Sequence, residues 1–433
     1  NYIQNMPTTI VFLKEHGGMA DCAVCYTVDP KFTFKERIGG FLRGKKLPGE
    51  LFKVSYFVRK AKELVAAGAD MISIKDMAGL LEPAISAELM KALKNEIGIP
   101  IDLHTHCTPG YGTATLLMGM VNGADIIDTV IMNFSGGPAG PGYEIIQLLA
   151  DRLGLETGVN RKAVGKINRE LKEIRGELVK FDQYKRLPPE IDLSDYTPSS
   201  ELASLLDGAV EAAVAGKATE TLRVCQLIEA YFNYPEPDQI IQRAQIPGGM
   251  YTNMMTQLQE LKLEHHLEEV LHIVPQVRLD AGVPPLVTPT SQIVGVQAVN
   301  CIVDKSQGKP LYTNVSKNFV DLVKGSYGRT PFAIDPDFRQ KIAGVREETP
   351  YDTSKYKKQP NPEIQEYGGV RLAIDEKEEL LLELFPSVAD KFLRSVREAS
   401  YKDYLASLPP EPEPDEGPYT QAFWESLSLT MEA

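Results

Sequence analysis

Cysteine is scarce: five residues in a chain of 433. That is too few for a disulfide framework and points to a reducing, cytoplasmic setting. No run of 18 apolar residues occurs, so no bilayer-spanning helix is expected, and the start carries no secretory pattern. Cations are in deficit, 46 Lys and Arg against 59 Asp and Glu, a net charge of −13. With no dense basic stretch, neither nucleic acid nor an anionic membrane surface is an expected partner. The phosphate-binding glycine spacings of Rossmann and P-loop sites are also missing after the first strand.

The chain does have 43% hydrophobic residues, enough for a sizeable core and two or three domains. Short apolar runs at 21–28, 70–75, 101–106 and 125–131 read as strands. They alternate with amphipathic stretches at 54–67, 84–95, 113–121 and 144–152 that read as helices. Gly68-Ala-Asp70 and Gly123-Ala-Asp125 end two of these helices in the same way, with glycine as the stop and a strand following at once. Such alternation predicts a parallel α/β sheet. Beyond residue 160 the pattern is helical, over 161–181, 202–215, 218–234, 251–263 and 291–303. After a polar stretch at 346–371 it is helical again over 376–399, where Pro386 predicts an interruption or a restart.

Two strands end in chemistry-bearing residues, Ile72-Ser-Ile-Lys75-Asp-Met-Ala-Gly79 and Leu103-His104-Thr-His106-Cys107-Thr-Pro-Gly110. Side chains two apart on a strand share a face, so His104 and His106 project together. Parallel pairing of the two strands would bring Lys75 beside them at the carboxyl ends, where barrel enzymes carry their chemistry. Neutral imidazoles suit zinc, cobalt or manganese. A lysine ammonium has no lone pair and cannot serve as a ligand unless CO2 adds to the amine as a carbamate.

These two motifs resemble the carboxyltransferase components of biotin-dependent enzymes, the group that includes pyruvate carboxylase, the oxaloacetate decarboxylase alpha subunit and the transcarboxylase large subunit. The resemblance implies a carbamylated Lys75 and the pair His104 and His106 as metal ligands, with zinc first and manganese or cobalt as alternatives. It implies that the four βα units are the last half of a TIM (β/α)8 barrel over 1–158, with the first four strands upstream of Asn1. A mostly helical domain over 159–345 and a segment over 346–433 would follow, the latter with a helix at 376–399 and a Pro/Glu-rich tail. The missing half would carry a further aspartate ligand and substrate-binding residues, leaving the fragment alone inactive. The implied reaction moves a carboxyl group between carboxybiotin and pyruvate or oxaloacetate through a metal-stabilised enolate. No Ala-Met-Lys-Met attachment sequence occurs, so biotin is expected on a separate biotin carboxyl carrier protein. Biotin carboxylase or decarboxylase subunits are the other expected partners, within an oligomer. Two alternatives stand beside this reading, a metal-dependent aldolase-type lyase or acyl-CoA condensing enzyme, and an inactive scaffold that binds a carrier subunit.

Four further motifs bear on the site. Pro247-Gly-Gly-Met-Tyr-Thr252-Asn253 resembles the family's turn before a helix, and Thr252, heading that helix, is implied as the proton-transfer residue; the plainer reading is a helix cap. Val287-Thr-Pro-Thr290-Ser291 also matches the family, with Thr290 or Ser291 expected to cap the next helix. Ser135-Gly-Gly-Pro138-Ala-Gly-Pro-Gly142 resembles the family's Ser-Gly-Gly loop. Relatives place aspartate where this chain has Cys107, for which packing is a better expectation than a catalytic thiolate. No residue is singled out as binding biotin. The Cys22/Cys25 pair should point to opposite strand faces, the basic loop 35–50 reads as a surface excursion, and His265-His266 as the surface of a polar helix after Leu263.

Overall fold

A computed structural model describes residues 6–32, 47–182 and 187–409. The chain divides into two compact units, Asn1–Tyr351 and Asp352–Ala433. The basic loop lies mostly, and the Pro/Glu tail almost wholly, outside the described residues.

In the first unit four strands, β1 (Asp21–Cys25), β2 (Met71–Asp76), β3 (Ile101–Thr105) and β4 (Ile126–Ile127), form a parallel sheet in sequence order. Ile72, Ile74, Ile101 and Leu103 are fully buried, because a parallel sheet is covered by its crossover helices. The covering helices are α2 (Val54–Ala66), α3 (Pro83–Glu96), α4 (Gly112–Val121) and α5 (Tyr143–Arg152), with α1 (Met6–Glu15) preceding β1. On α2 the buried residues Phe57, Ala61 and Leu64 recur at helical spacing, which fixes its inner stripe.

The two Gly-Ala-Asp stops serve as anticipated. Gly68 and Gly123 take φ of +102° and +106°, conformations that suit glycine. Each following aspartate then holds a neighbouring strand. Asp70 accepts from the Ala20 N–H and pairs with Lys14, and Asp125 accepts from the Ile101 N–H and pairs with Lys94. The fourth strand is shorter than expected. Only Ile126 and Ile127 are ladder residues, and Val130 makes an isolated bridge to Gly142.

The helical region supplies α6 (Arg161–Leu178), α7 (Ser200–Val214), α8 (Ala218–Tyr231), α9 (Gln239–Ala244), α10 (Gly248–Glu260), α11 (Leu267–Asp280), α12 (Thr290–Ser306), α13 (Lys317–Lys324) and α14 (Pro336–Ala343). Leu202, Leu206 and Ile228 of α7 and α8 belong to the same core as the sheet. A second core begins at Ile246 and joins α10 to α13. Buried Arg278 of α11 ties that helical layer back to the end of β1. It donates to the Val28 carbonyl, the Thr27 hydroxyl and the Pro284 carbonyl, and burial lowers its pKa to about 10.

The second unit holds a short hairpin, β5 (Glu363–Ile364) and β6 (Val370–Arg371), with α15 (Glu376–Leu384) and α16 (Pro386–Ser407) around a small core of its own. Pro386 starts α16, where its missing N–H is not needed.

Glu229 of α8 is buried and accepts from the Thr113 hydroxyl of α4 at 2.6 Å. Burial raises its pKa to about 7, against the opposing hydrogen bonds from Thr113. A carboxyl raised on folding holds a proton that the unfolded chain releases. Its contribution is therefore full at low pH and lost as pH rises through about 7. Urea midpoints taken from about pH 5 to about pH 8 should fall for the wild type, and Glu229→Gln should flatten that slope.

Candidate metal centre

β1 pairs with β2 with Cys25 opposite Lys75, and β2 pairs with β3 with Lys75 opposite His104. Lys75, His104 and His106 thus meet on one face at the carboxyl ends of adjacent parallel strands. Cys22 is buried on the other face of β1, with Cys25 half-buried and no disulfide between them.

The loops after the strands are held tightly. Asp76, fully buried, accepts from the Leu80 and Leu81 N–H groups and from the Thr105 hydroxyl. One carboxylate therefore fixes both the turn after Lys75 and the residue between the two histidines. Burial raises its pKa to about 6, opposed by those hydrogen bonds. Gly79 takes φ of +66°, and a Cβ there would lie 2.5 Å from the His106 carbonyl oxygen, so the two strand-end loops can approach only with glycine at this position.

The histidine pair has a defined proton arrangement. His106 Nδ1 lies 2.6 Å from the Pro138 carbonyl, which can only accept, so Nδ1 carries the hydrogen. His104 Nδ1 lies 2.9 Å from the Asp128 carboxylate and donates to it in the same way. Both Nε2 atoms are then left with lone pairs, and they sit 3.1 Å apart. Two acceptors facing each other so closely repel unless an electrophile, a proton or a metal cation, joins them. Burial, followed by the nearby charges of His104 and Lys75, lowers the His106 pKa and favours the neutral ligand form; the Pro138 hydrogen bond acts against this. The donor set therefore fits a divalent metal, with each imidazole oriented through its outer nitrogen. Among the described residues no group of three His, Cys, Asp or Glu forms a complete metal cage. The half-buried Lys75 makes no side-chain hydrogen bond or ion pair among them.

The structure also gathers the other motifs. A cleft of about 320 Å³ is lined by Met77 and His106 on one side and by Gly248, Gly249 and Ser291 on the other, with Pro138 at its wall. Thr252 is not part of that lining. It lies inside α10 rather than at its head, exposed, with its hydroxyl donating to the Gly248 carbonyl at 3.1 Å. Neither Thr290 nor Ser291 caps α12. Pro289 occupies the N-cap, and the Thr290 hydroxyl turns back to the Pro285 and Val287 carbonyls. Cys107 is buried, and burial, with Glu229 adding to it, pushes its thiol well above the ordinary range.

Sequence reasoning passed over Asp128, the Pro138 carbonyl and a polar layer beneath His104. In that layer Ser73 Oγ lies 2.8 Å from Asp21 and 2.9 Å from Asp102. The strand alternation held the signal, since Ser73 and Asp102 share the faces of Lys75 and His104.

A parallel barrel-type sheet with a histidine pair at its carboxyl ends, followed by a helical domain, defines a metal-capable α/β class of enzyme. Comparison with known proteins narrows it. Residues 241–415 match the family described as a conserved carboxylase domain, and residues 51–169 match the HMGL-like family. One of the pyruvate carboxylase subunits of Methanocaldococcus jannaschii is 32% identical over 91% of this chain and 57% of its own length. The methylmalonyl-CoA carboxyltransferase 5S subunit of Propionibacterium freudenreichii subsp. shermanii is 30% identical over 80% of this chain and 53% of its own. The carboxyl transferase domain of Rhizobium etli pyruvate carboxylase, solved with pyruvate, superposes with a TM-score of 0.58 at 24% identity, over 92% of this chain and 57% of that one. Over its four-stranded parallel sheet and its helical region alike, the chain is thus similar to carboxyltransferase components of pyruvate carboxylase type. It spans little more than half the length of these relatives.

The Cys107 environment has a direct consequence. In the native chain iodoacetamide near neutral pH should leave Cys107 unmodified, and unfolding in urea should expose it, both read by peptide mass spectrometry. Rapid native labelling would return the thiolate reading to consideration.

Proposed function

We propose that the protein containing this chain transfers a carboxyl group between carboxybiotin and pyruvate or oxaloacetate, in the direction its partners set. One observation carries the reading: three motifs distant in sequence, those of Met77, His106 and Gly248-Gly249, line a single cleft beside the paired histidines. The relatives named above are a pyruvate carboxylase component and a methylmalonyl-CoA carboxyltransferase component, which is consistent with that chemistry.

In this reading His104 and His106 hold a divalent metal through Nε2, and Lys75 joins them as a carbamate, for which its amine beside His104, without a hydrogen-bond partner among the described residues, is suited. Zinc is the first choice, with manganese or cobalt as alternatives. Such a metal supplies Lewis acidity toward the keto oxygen of the substrate. Asp128 and the Pro138 carbonyl keep the imidazoles oriented. Thr252 Oγ1, exposed and two residues beyond Met250 of the cleft, takes a methyl proton from the keto acid as it gives up its own hydroxyl hydrogen. That hydroxyl hydrogen passes to the biotin nitrogen that has released its carboxyl group as CO2, and the enolate carbon takes up the CO2, so that a C–C bond forms as an N–C bond breaks. Biotin arrives on a separate carrier polypeptide, supplied by a carboxylase or decarboxylase partner.

Four further βα units complete the sheet in this proposal. The outer edges of β1 and β4, unpaired among the described residues, and the exposed residues Asp21 and Ala23 favour it. Asp102 Oδ1, buried without a hydrogen-bond partner among the described residues, is a place for a donor from those units.

In the assembled enzyme, Lys75→Ala should lower bound metal well below stoichiometric, read by elemental analysis. Thr252→Ala should keep its metal and lose about 100-fold or more in kcat for oxaloacetate formation. Unchanged metal in the first variant removes Lys75 from the ligand set, and wild-type turnover in the second removes Thr252 from proton transfer. A biotin-independent rate that requires an acyl-CoA would favour the lyase alternative.

A further inference from the structure

The 135–142 loop begins with Ser135 and ends with Gly142, and the oxygen that fixes His106 comes from its middle, at Pro138. The loop has little internal hold. Gly136 and Gly137 take φ of +82° and +55°, and within it only the Gly136–Gly140 and Ala139–Gly136 backbone hydrogen bonds close the turn.

Tyr234, almost one hundred residues away, spans its two ends. The Tyr234 hydroxyl lies 2.5 Å from Ser135 Oγ and accepts from the Gly142 N–H at 2.9 Å. The proton order follows from donor counting. Ser135 spends its one hydrogen on the Met132 carbonyl at 2.8 Å, so the tyrosine hydroxyl must donate to Ser135. A single chain then runs from the Gly142 N–H through Tyr234 and Ser135 to the Met132 carbonyl, and it draws the loop's first and last residues together. The tyrosine ring fills the space where a side chain at Gly136 would stand, since a Cβ there would meet ring carbons at 2.8 Å. Tyr234 itself is buried, at 5% exposure, and its backbone N–H is held by the Glu229 carbonyl. The clamp is therefore mounted on the turn that closes α8.

We propose that Tyr234 is a positioning residue for the histidine pair. By bridging Ser135 and Gly142 it holds the Pro138 carbonyl against His106 Nδ1, and so keeps the hydrogen on Nδ1 and the lone pair of Nε2 facing His104. The consequence for metal binding rests on the reading of His106 as a ligand; the consequence for the His106 tautomer does not.

The two are separated by measuring both on the full-length protein that carries this chain. Tyr234→Phe keeps the ring against Gly136 and removes only the hydroxyl. It should weaken zinc affinity about tenfold in chelator competition, the scale on which groups that orient metal-holding histidines act. In metal-free protein labelled with 15N-histidine, His106 should change from a single Nδ1–H tautomer to a mixture, while far-UV circular dichroism stays that of the wild type. Ser135→Ala breaks the same bridge from the other side and serves if Tyr234→Phe does not fold. Zinc affinity within about twofold of wild type, together with an unchanged His106 tautomer, overturns the proposal. If His106→Ala leaves zinc binding intact, the ligand reading fails. Tyr234 is then judged on the tautomer alone, whose loss upholds its role and whose retention refutes it.

Discussion

Parallel pairing of β2 with β3 sets Lys75 opposite His104, and everything chemical in the molecule depends on that register. Side chains alternate along a strand, so a slip of one residue would turn the histidines into the apolar face now filled by Leu103 and would bring Leu103 to the site. The register is secured away from the site. Ile72, Ile74, Ile101 and Leu103 are fully buried on the opposite face, and Asp76 links the loop after β2 to Thr105 of β3. A buried carboxylate with three donors costs desolvation, as its raised pKa records. It also ties two strand ends together more tightly than apolar contacts alone would do.

From that register the site grows outward in layers. The imidazoles are oriented by groups on other segments, Asp128 after β4 and the Pro138 carbonyl in the following loop. The cleft beside them is closed by α10 and the segment before α12, which belong to the second core. Arg278 explains how that second core keeps its place against the sheet. Its guanidinium is fully buried with no directly bonded carboxylate among the described residues, and its hydrogens reach Thr27, Val28 and Pro284 at once. A charge is tolerated there because its donors are met by oxygens of both layers.

The strands and the first four covering helices were legible because their periodicities are strong and their stops carry glycine. The pair Lys75 and His104-Thr-His106 was legible because two-residue spacing leaves no choice of face. Other features were not. A polar helix after Leu263 is legible but the extent of α11 is not, since Pro275 sits inside it; packing of Val270, Val274 and Val277 into the second core outweighs the lost hydrogen bond. Thr252 and Thr290 read as helix starts in the sequence because hydroxyls favour caps. In the fold the preceding prolines open both helices, at Pro247 and Pro289, and the hydroxyls turn to backbone carbonyls.

By itself the sequence determined the order of elements, the shared face of His104 and His106 and the kind of chemistry those side chains allow, because each follows from local periodicity and from the lone pairs a residue owns. Only the tertiary structure decided which nitrogens carry hydrogen, that Cys107 is a packed thiol, and that Met77, His106 and Gly248 share one cleft. Those facts arise where segments far apart in the chain meet, as when a carbonyl at Pro138 or a hydroxyl at Tyr234 comes to rest against a partner that no local spacing predicts.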